Sequence, residues 1–333
     1  MWKIRQGIAS NVALTITDSI RTACAQVAQR ARFVHIDENA IERYALSLPL
    51  HKAVAPTIDR ATHYVADPAG ALAFFVTLDT INFGSGYFPH LKKRPGMSGY
   101  FTVATSLKQE FDRHGPLSPQ RLAQLTAEDC RALFHQEADN QPVMELMQLF
   151  ATALNDLGSL LISQYQGRFE SLIAAANHSA EQLIPLLAHM PFFRDVSDYQ
   201  GLAVPFYKRA QLMAADLSLA LGGQGLGQFG DLDRLTIFAD NLVPHVLRND
   251  GILGYDPELA ARIDREESIA SGSPEEIEIR ACALHAVELM KSSLGRAGRS
   301  VTAMGLDYVL WNRGQEKHYK TIKPRHRARS VYY

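Results

Sequence analysis

Lys208 and Asp240 are the residues of this chain best placed to do chemistry. Lys208 stands in Phe206-Tyr207-Lys208-Arg209-Ala210-Gln211-Leu212, and Asp240 closes Leu235-Thr236-Ile237-Phe238-Ala239-Asp240. Both stretches are otherwise largely apolar and read as neighbouring helices, where a charge is costly unless it is paired or has a task. A lysine and a carboxylate, with no metal motif, nucleotide loop or serine triad beside them, suit cleavage of a bond through a cationic transition state. On a helix from about Phe206 to Leu221, Lys208 shares a face with Gln211, Leu212 and Ala215. The ordinary reading is a snorkelling lysine or one paired to Asp216. For Asp240 it is a turn or cap beside Asn241, and Asp231, at the head of the same segment, reads as a helix cap.

A second constellation lies in Leu306-Asp307-Tyr308-Val309-Leu310-Trp311. Asp307 and Trp311 share a helical face with Tyr308 beside them. Aromatic rings to stack on and a carboxylate for an N–H edge are what a flat heteroaromatic ligand requires. The ordinary alternative is an aromatic core with a surface aspartate.

Other motifs carry less. Gly222-Gly223-Gln224-Gly225-Leu226-Gly227 has Gln228 where a dinucleotide fingerprint needs its third glycine, and it follows a helix rather than a strand. It reads as an inter-helix loop. The twelve histidines show no H-x-x-x-H or H-E-x-x-H spacing, so no metal and no cofactor are expected. Ser98, in Gly96-Met97-Ser98-Gly99-Tyr100, is off the G-x-S-x-G pattern.

The elements that must position these residues are helices. Apolar residues recur at three- and four-residue intervals over 144–163, 170–189, 205–221, 232–243, 274–291 and 302–313. Ser273-Pro274-Glu275-Glu276 is a clear helix start. Strand signals are confined to 33–36 and 330–333. With no internal repeat and only short turn clusters, the 333 residues read as a single, mainly α domain with at most a few short strands. A split near residue 190 is the weaker division.

Hydrophobic residues make up 47% of the chain, enough for a large core, and a net charge of −1 gives no global field towards nucleic acid or membrane. The exception is the basic segment from Arg313 to Arg329. Three scattered cysteines, Cys24, Cys130 and Cys282, argue for a reducing compartment. Met1-Trp2-Lys3-Ile4-Arg5 opens no apolar signal-peptide core, and the apolar run 71–76 is far short of a membrane span of ~20 residues. The expectation is a soluble cytoplasmic protein.

By these residues the chain resembles the queuosine salvage family, the queuosine 5'-phosphate N-glycosylases. The resemblance covers most of the chain and is densest from residue 190 onward. It rests on Phe192-Phe193-Arg194-Asp195, Tyr207-Lys208-Arg209-Ala210-Gln211, Leu235-Thr236 through Phe238-Ala239-Asp240 with Pro244, Glu276-Ile277-Glu278-Ile279-Arg280, Asp307-Tyr308 with Leu310-Trp311, and the tyrosine-ended tail. Upstream, Leu78-Asp79-Thr80-Ile81-Asn82-Phe83 fits, and His63 lies where the family tends to carry a histidine.

The resemblance implies a helical fold similar to DNA glycosylases. It also implies hydrolysis of queuosine 5'-monophosphate to queuine and ribose 5-phosphate, feeding queuine back to tRNA modification. Carried over by position, Lys208 and Asp240 are the catalytic neighbourhood, with Asp231 sharing it. Asp231, Asp307 and Tyr308 contact the base and Phe229 stacks on it. His63, Asn82, Phe83 and Asn312 complete the substrate contacts. There are departures. Gly84-Ser85-Gly86-Tyr87 stands where many relatives have a bulky aromatic run, Asn241 where a tyrosine is common, and Asn312 where eukaryotic relatives have an aspartate.

The chemistry of that reaction imposes its own demands. Queuine is a 7-deazaguanine with carbon in place of N7, so protonating N7 to help the base leave is closed. Catalysis must stabilise the ribosyl oxocarbenium and hold the departing base by hydrogen bonds. A carboxylate under the sugar does the first, and either Asp231 or Asp240 fits. The base also carries a cationic aminomethyl arm, for which Asp231 and Asp307 compete. Phosphate recognition falls to Arg280 and the basic segment, Lys320 and Lys323 foremost. The partner is therefore a small molecule, with no membrane and no stable nucleic-acid partner expected. The rival reading is a helical RNA- or nucleotide-binding protein without catalysis, which would expose aromatics beside its basic tail.

Overall fold

Apolar spacing of three and four residues becomes helix through most of this chain. The structure, a computed structural model, describes residues 14–52 and 58–333, so the reading of Met1–Arg5 lies outside the described residues. Ten helices build the core and the walls of the site. They are α1 (Ile16–Arg30), α2 (Pro68–Thr80), α3 (Gly99–His114), α4 (Gln141–Gln164), α5 (Ala180–Leu187), α6 (Lys208–Ala220), α7 (Leu242–Asn249), α8 (Pro274–Arg296), α9 (Ala303–Gly314) and α10 (Lys317–Thr321). Strands are short: β1 (Val34–Ile36) pairs antiparallel with β4 (Leu253–Tyr255), and β2 (Val196–Tyr199) forms a hairpin with β3 (Leu202–Pro205). The chain is mainly α, as expected.

Two apolar clusters form the core. One gathers the inner faces of α2, α3, α4, α5 and α6; the other gathers those of α1, α7, α8 and much of α9. By length and composition α4 could cross a membrane, but Val143, Leu146, Met147, Phe150, Leu157 and Leu161 are completely buried in the first cluster. Tyr308 joins the first cluster while Leu306, Val309 and Leu310 join the second, so α9 spans the seam between them.

Three segments differ from their sequence pattern. Residues 232–243 are not one helix: a short 3₁₀ turn (Leu232–Arg234) is followed by irregular backbone, and α7 begins only at Leu242. Pro244 lies in the first turn of α7, where its missing N–H costs no hydrogen bond, so it starts a helix rather than interrupting one. The 170–189 pattern is cut between Ala174 and Ala180, with Asn177 and His178 at φ 48° and 59°. Residues 330–333 form no strand.

That tail docks on the loop after α2 instead. Gly84 N and Ser85 N donate to the Tyr333 backbone oxygen at 2.9 and 3.4 Å. Gly84 takes φ +93°, and a Cβ on Gly86 would come within 2.2 Å of the Ala328 carbonyl oxygen. Bulk in this loop would push the tail away, which accounts physically for the two glycines. Asn241 joins the same contact, donating through Nδ2 to Ser85 Oγ at 3.1 Å and to the His326 carbonyl at 3.4 Å. The departures at 84–86 and at 241 are thus one packing solution.

Candidate active site

A cavity of about 800 Å³ opens along the seam. Its wall on the α6 side carries Lys208, Leu212, Asp216 and Leu219, a single stripe at helical spacing. The 235–241 segment contributes Phe238 and Asp240, and α9 contributes Asp307, Tyr308, Trp311 and Asn312. His63, Asn82, Phe83 and Tyr100 line the side nearest α2 and α3, and Lys320, Lys323 and Arg325 line another part of the wall.

Local structure explains why Lys208 faces inward. Tyr207 adopts φ 48°, turning the chain sharply into α6. Asp195 holds that turn: its backbone oxygen accepts from Phe206 N at 2.8 Å and its Oδ2 from Lys208 N at 3.1 Å. Asp195 is held in turn by Arg280, whose guanidinium donates to both carboxylate oxygens at 2.9 and 2.7 Å and to the Ala239 carbonyl at 3.0 Å. Gln211 fixes the opposite wall, accepting from Thr236 N at 2.9 Å and donating to Phe206 O at 2.9 Å. Lys208 and the strip bearing Asp240 are therefore set by one buried network.

The Lys208 side chain is 6% exposed and, among the described residues, forms no ion pair, not even with Asp216. Burial lowers its pKa, and the charges of Asp240, Asp79 and Asp307 act against that fall. Asp240 Oδ1 accepts from Leu242 N at 2.7 Å, at the start of α7. Asp307 Oδ1 accepts from Phe238 N at 2.9 Å; burial, reinforced by the Asp240 charge, pushes its carboxyl up to about 7. Phe238 and Tyr308 meet edge to face at 6.4 Å between ring centres, and the Tyr308 hydroxyl is buried without a partner. His63 stacks on Phe75 at 5.5 Å and bonds through Nε2 to Tyr100 OH at 2.9 Å.

Behind Lys208 lies Asp79, completely buried. Asn82 Nδ2 donates to its Oδ1 at 3.3 Å, while Oδ2 has no partner. Burial raises its carboxyl to about 7. Phe83 reaches the cavity wall but packs mainly on Phe150 and Phe192, beneath the Arg209 guanidinium.

Of the residues expected at the site, the structure brings together Lys208, Asp240, Asp307, Tyr308, His63, Asn82, Phe83 and Asn312, the last exposed at the rim. Two fall elsewhere. Asp231 accepts from Ser179 Oγ at 2.6 Å and from Ala180 N and Glu181 N at 2.7 and 3.1 Å, so it caps α5 and both its oxygens are used. Phe229 is buried in the first core cluster and does not line the cavity, whereas Phe238 does. Arg280 is also corrected, since Asp195 and the faces of Phe206 and Tyr333 occupy it fully. Sequence reasoning missed Asp79, Asp216 and Tyr100 as site residues, while Arg325 fell within the basic segment offered for the phosphate. Asp216 was legible, lying eight residues after Lys208 on one stripe.

A mainly helical protein whose cavity sets carboxylates around one buried lysine, with aromatic rings beside them, belongs to the class that takes a flat polar ligand into its interior. The model of the queuosine salvage protein family matches residues 62–333, and the chain belongs to that family. It is 37% identical over 320 residues to a queuosine 5'-phosphate N-glycosylase/hydrolase of Sphaerobacter thermophilus, covering 94% of this chain and 97% of the relative. Proteins of the same name from Bos taurus and Schizosaccharomyces pombe are each 31% identical, covering 92% and 71% of this chain and 96% and 71% of their own.

Proposed function

We propose that this protein hydrolyses the N-glycosidic bond of queuosine 5'-monophosphate, releasing queuine and ribose 5-phosphate. The observation that carries the reading is the set of groups that one cavity brings together. One cavity is lined by the carboxylates of Asp240 and Asp307, the buried Lys208, the rings of Phe238 and Tyr308, and the basic Lys320, Lys323 and Arg325, and the Asp240 charge acts on both Arg325 and Lys208. A phosphate, a ribose and a base need a cationic, a carboxylate and an aromatic contact within one site. The relatives carry the same activity in their names.

In this mechanism Asp240 lies under the sugar. Its carboxylate stabilises positive charge at the anomeric carbon as the bond to the base nitrogen breaks and the electron pair leaves with the base. Lys208 stands beside that carboxylate and the departing base, and burial, by lowering its pKa, makes it a better proton donor to the leaving nitrogen. Water adds to the anomeric carbon and passes its proton to the Asp240 carboxylate, from which solvent returns it to the Lys208 amine. Asp307, once ionised, accepts from the N–H edge of the pyrimidine ring, with Phe238 and Tyr308 against its faces. Lys320, Lys323 and Arg325 take the phosphate; Arg313, Arg327 and Arg329 are engaged with Asp250, Glu266 and Glu145.

RNA binding would need exposed aromatics near the basic tail. Among the described residues no Phe, Tyr or Trp is exposed. Incubating the protein with queuosine 5'-monophosphate and analysing products by mass spectrometry tests the proposal: equal amounts of queuine and ribose 5-phosphate are expected, and intact nucleotide after prolonged incubation overturns it.

A further inference from the structure

Among the described residues, Asp216 is the carboxylate of the cavity wall that neither ordinary packing nor the reaction above has used. It lies on the same stripe of α6 as Lys208 and Leu212, about 12 Å along the helix from Lys208 at 1.5 Å per residue. It is half-buried, and among the described residues it makes no hydrogen bond and no ion pair. Its polar neighbours are Tyr100 and Tyr308, whose phenols both feel its charge, and Asp79 behind. The Tyr308 hydroxyl, on a residue 9% exposed at the cavity wall, has no partner either. Two hydrogen-bonding groups are therefore left without a protein partner on the cavity wall, Asp216 being about 12 Å along α6 from Lys208.

Resting on the hydrolase reading, we propose that Asp216, with the Tyr308 hydroxyl beside it, is the specificity element that receives the ammonium of the base's aminomethyl arm. Leu212, between Lys208 and Asp216, supplies the apolar floor over which the ring system lies. With Asp231 capping α5, Asp307 tied to Phe238, Asp59 accepting from Ala61 N and Thr62 Oγ1, and Glu266 paired to Arg327, Asp216 is the remaining candidate for this contact among the described residues of the cavity wall. An ammonium also answers an electrostatic excess. Asp79, Asp216, Asp240 and Asp307 surround one lysine, and burial, then the Asp79 charge, raises the Asp216 carboxyl well above the ordinary range. A cation brought by the ligand removes that penalty, whereas a neutral ligand leaves it in place.

Binding and turnover separate this inference from the reaction itself. By calorimetry, the wild type is expected to bind queuine at least ~10-fold more tightly than 7-deazaguanine, which lacks the arm, and Asp216→Asn is expected to abolish that preference. In turnover, Asp216→Asn should lower kcat/KM for queuosine 5'-monophosphate by ~10- to 100-fold and leave that for 7-deazaguanosine 5'-monophosphate unchanged. Asp216→Glu, which keeps the charge, should recover part of the loss. Equal losses for armed and armless ligands, or no loss for either, overturn the role of Asp216. A wild type that binds queuine selectively through Asp216 but cleaves neither nucleotide overturns the hydrolase reading and leaves the arm site standing.

Discussion

Lys208 and Arg209 are adjacent in the chain and buried alike, yet their surroundings are opposite. Arg209 donates to the carbonyls of Asp79, Thr80, Phe192 and Val331, and its guanidinium lies over the rings of Phe83 and Phe193. It ties the end of α2, the 191–193 turn and the tail into one unit. Lys208 faces the cavity with three carboxylates acting on it and none paired to it. The same contrast separates the two polar centres of the molecule. Asp195, Arg280 and Glu278 are filled by protein donors and acceptors, Glu278 alone accepting from the backbone N–H groups of Arg32, Phe33 and Val34 and from Tyr199 OH. Among the described residues, Asp216 and the Tyr308 hydroxyl on the cavity wall have no protein partner, and behind the wall one oxygen of Asp79 has none. A buried polar group that is satisfied holds the fold, whereas one left open on a cavity wall is available to a ligand.

The largest effect expected from breaking this contrast is on the satisfied side. Arg280→Ala leaves Asp195 buried without its bidentate partner and should cost about 3–5 kcal/mol of stability, read by denaturant unfolding. A variant of near wild-type stability would show that the network is dispensable. Lys208→Ala and Asp240→Asn should do the reverse, lowering turnover at least ~100-fold, or ~3 kcal/mol, with Tm unchanged or raised. If both variants turn over normally, the open centre is not catalytic.

The basic rim comes next. Removing the phosphate from the substrate should lower kcat/KM by ~10- to 1,000-fold, matching ~1.5–3 kcal/mol per charge-assisted hydrogen bond. Lys323→Ala or Arg325→Ala should narrow the gap between nucleotide and nucleoside, and equal rates on both in the wild type would free the tail for another role.

Asp79 sharpens the comparison through pH. Its folded pKa, about 7, lies above the ordinary carboxyl value, so the folded state holds a proton that the unfolded chain has lost between about pH 4 and 7. Its contribution therefore falls as pH rises through that window. Asp79→Asn should stabilise the protein by on the order of 1–3 kcal/mol at pH 8 and have no effect at pH 4; a pH-independent change in Tm would contradict the assignment. The smallest effect belongs to Asp231→Ala, which should cost about 1 kcal/mol as a lost helix cap and leave kcat unchanged. A large fall in kcat with Tm preserved would return Asp231 to the active site.

Most helices were legible because their signals are local. The Ser273 cap of α8, the spacing in α4 and the face of α9 bearing Asp307 and Trp311 all depend on residues within a few turns of one another. The types of chemistry were legible too: a lysine and aspartates in apolar surroundings mark themselves by their cost. What each carboxylate does was not. Asp231 and Asp240 both sit at the borders of one apolar segment, and only the chain fold sends one to cap α5 and the other to the cavity. Likewise Phe229 and Phe238 are both aromatic residues near an aspartate, and the Gln211–Thr236 hydrogen bonds hold the strip that turns Phe238 to the cavity. The sequence by itself determined the helical architecture and the residue types available for catalysis, since both follow from interactions between near neighbours. Tertiary structure alone decided which polar groups are satisfied, because their partners lie up to 267 residues away, as Arg21 does from Glu288.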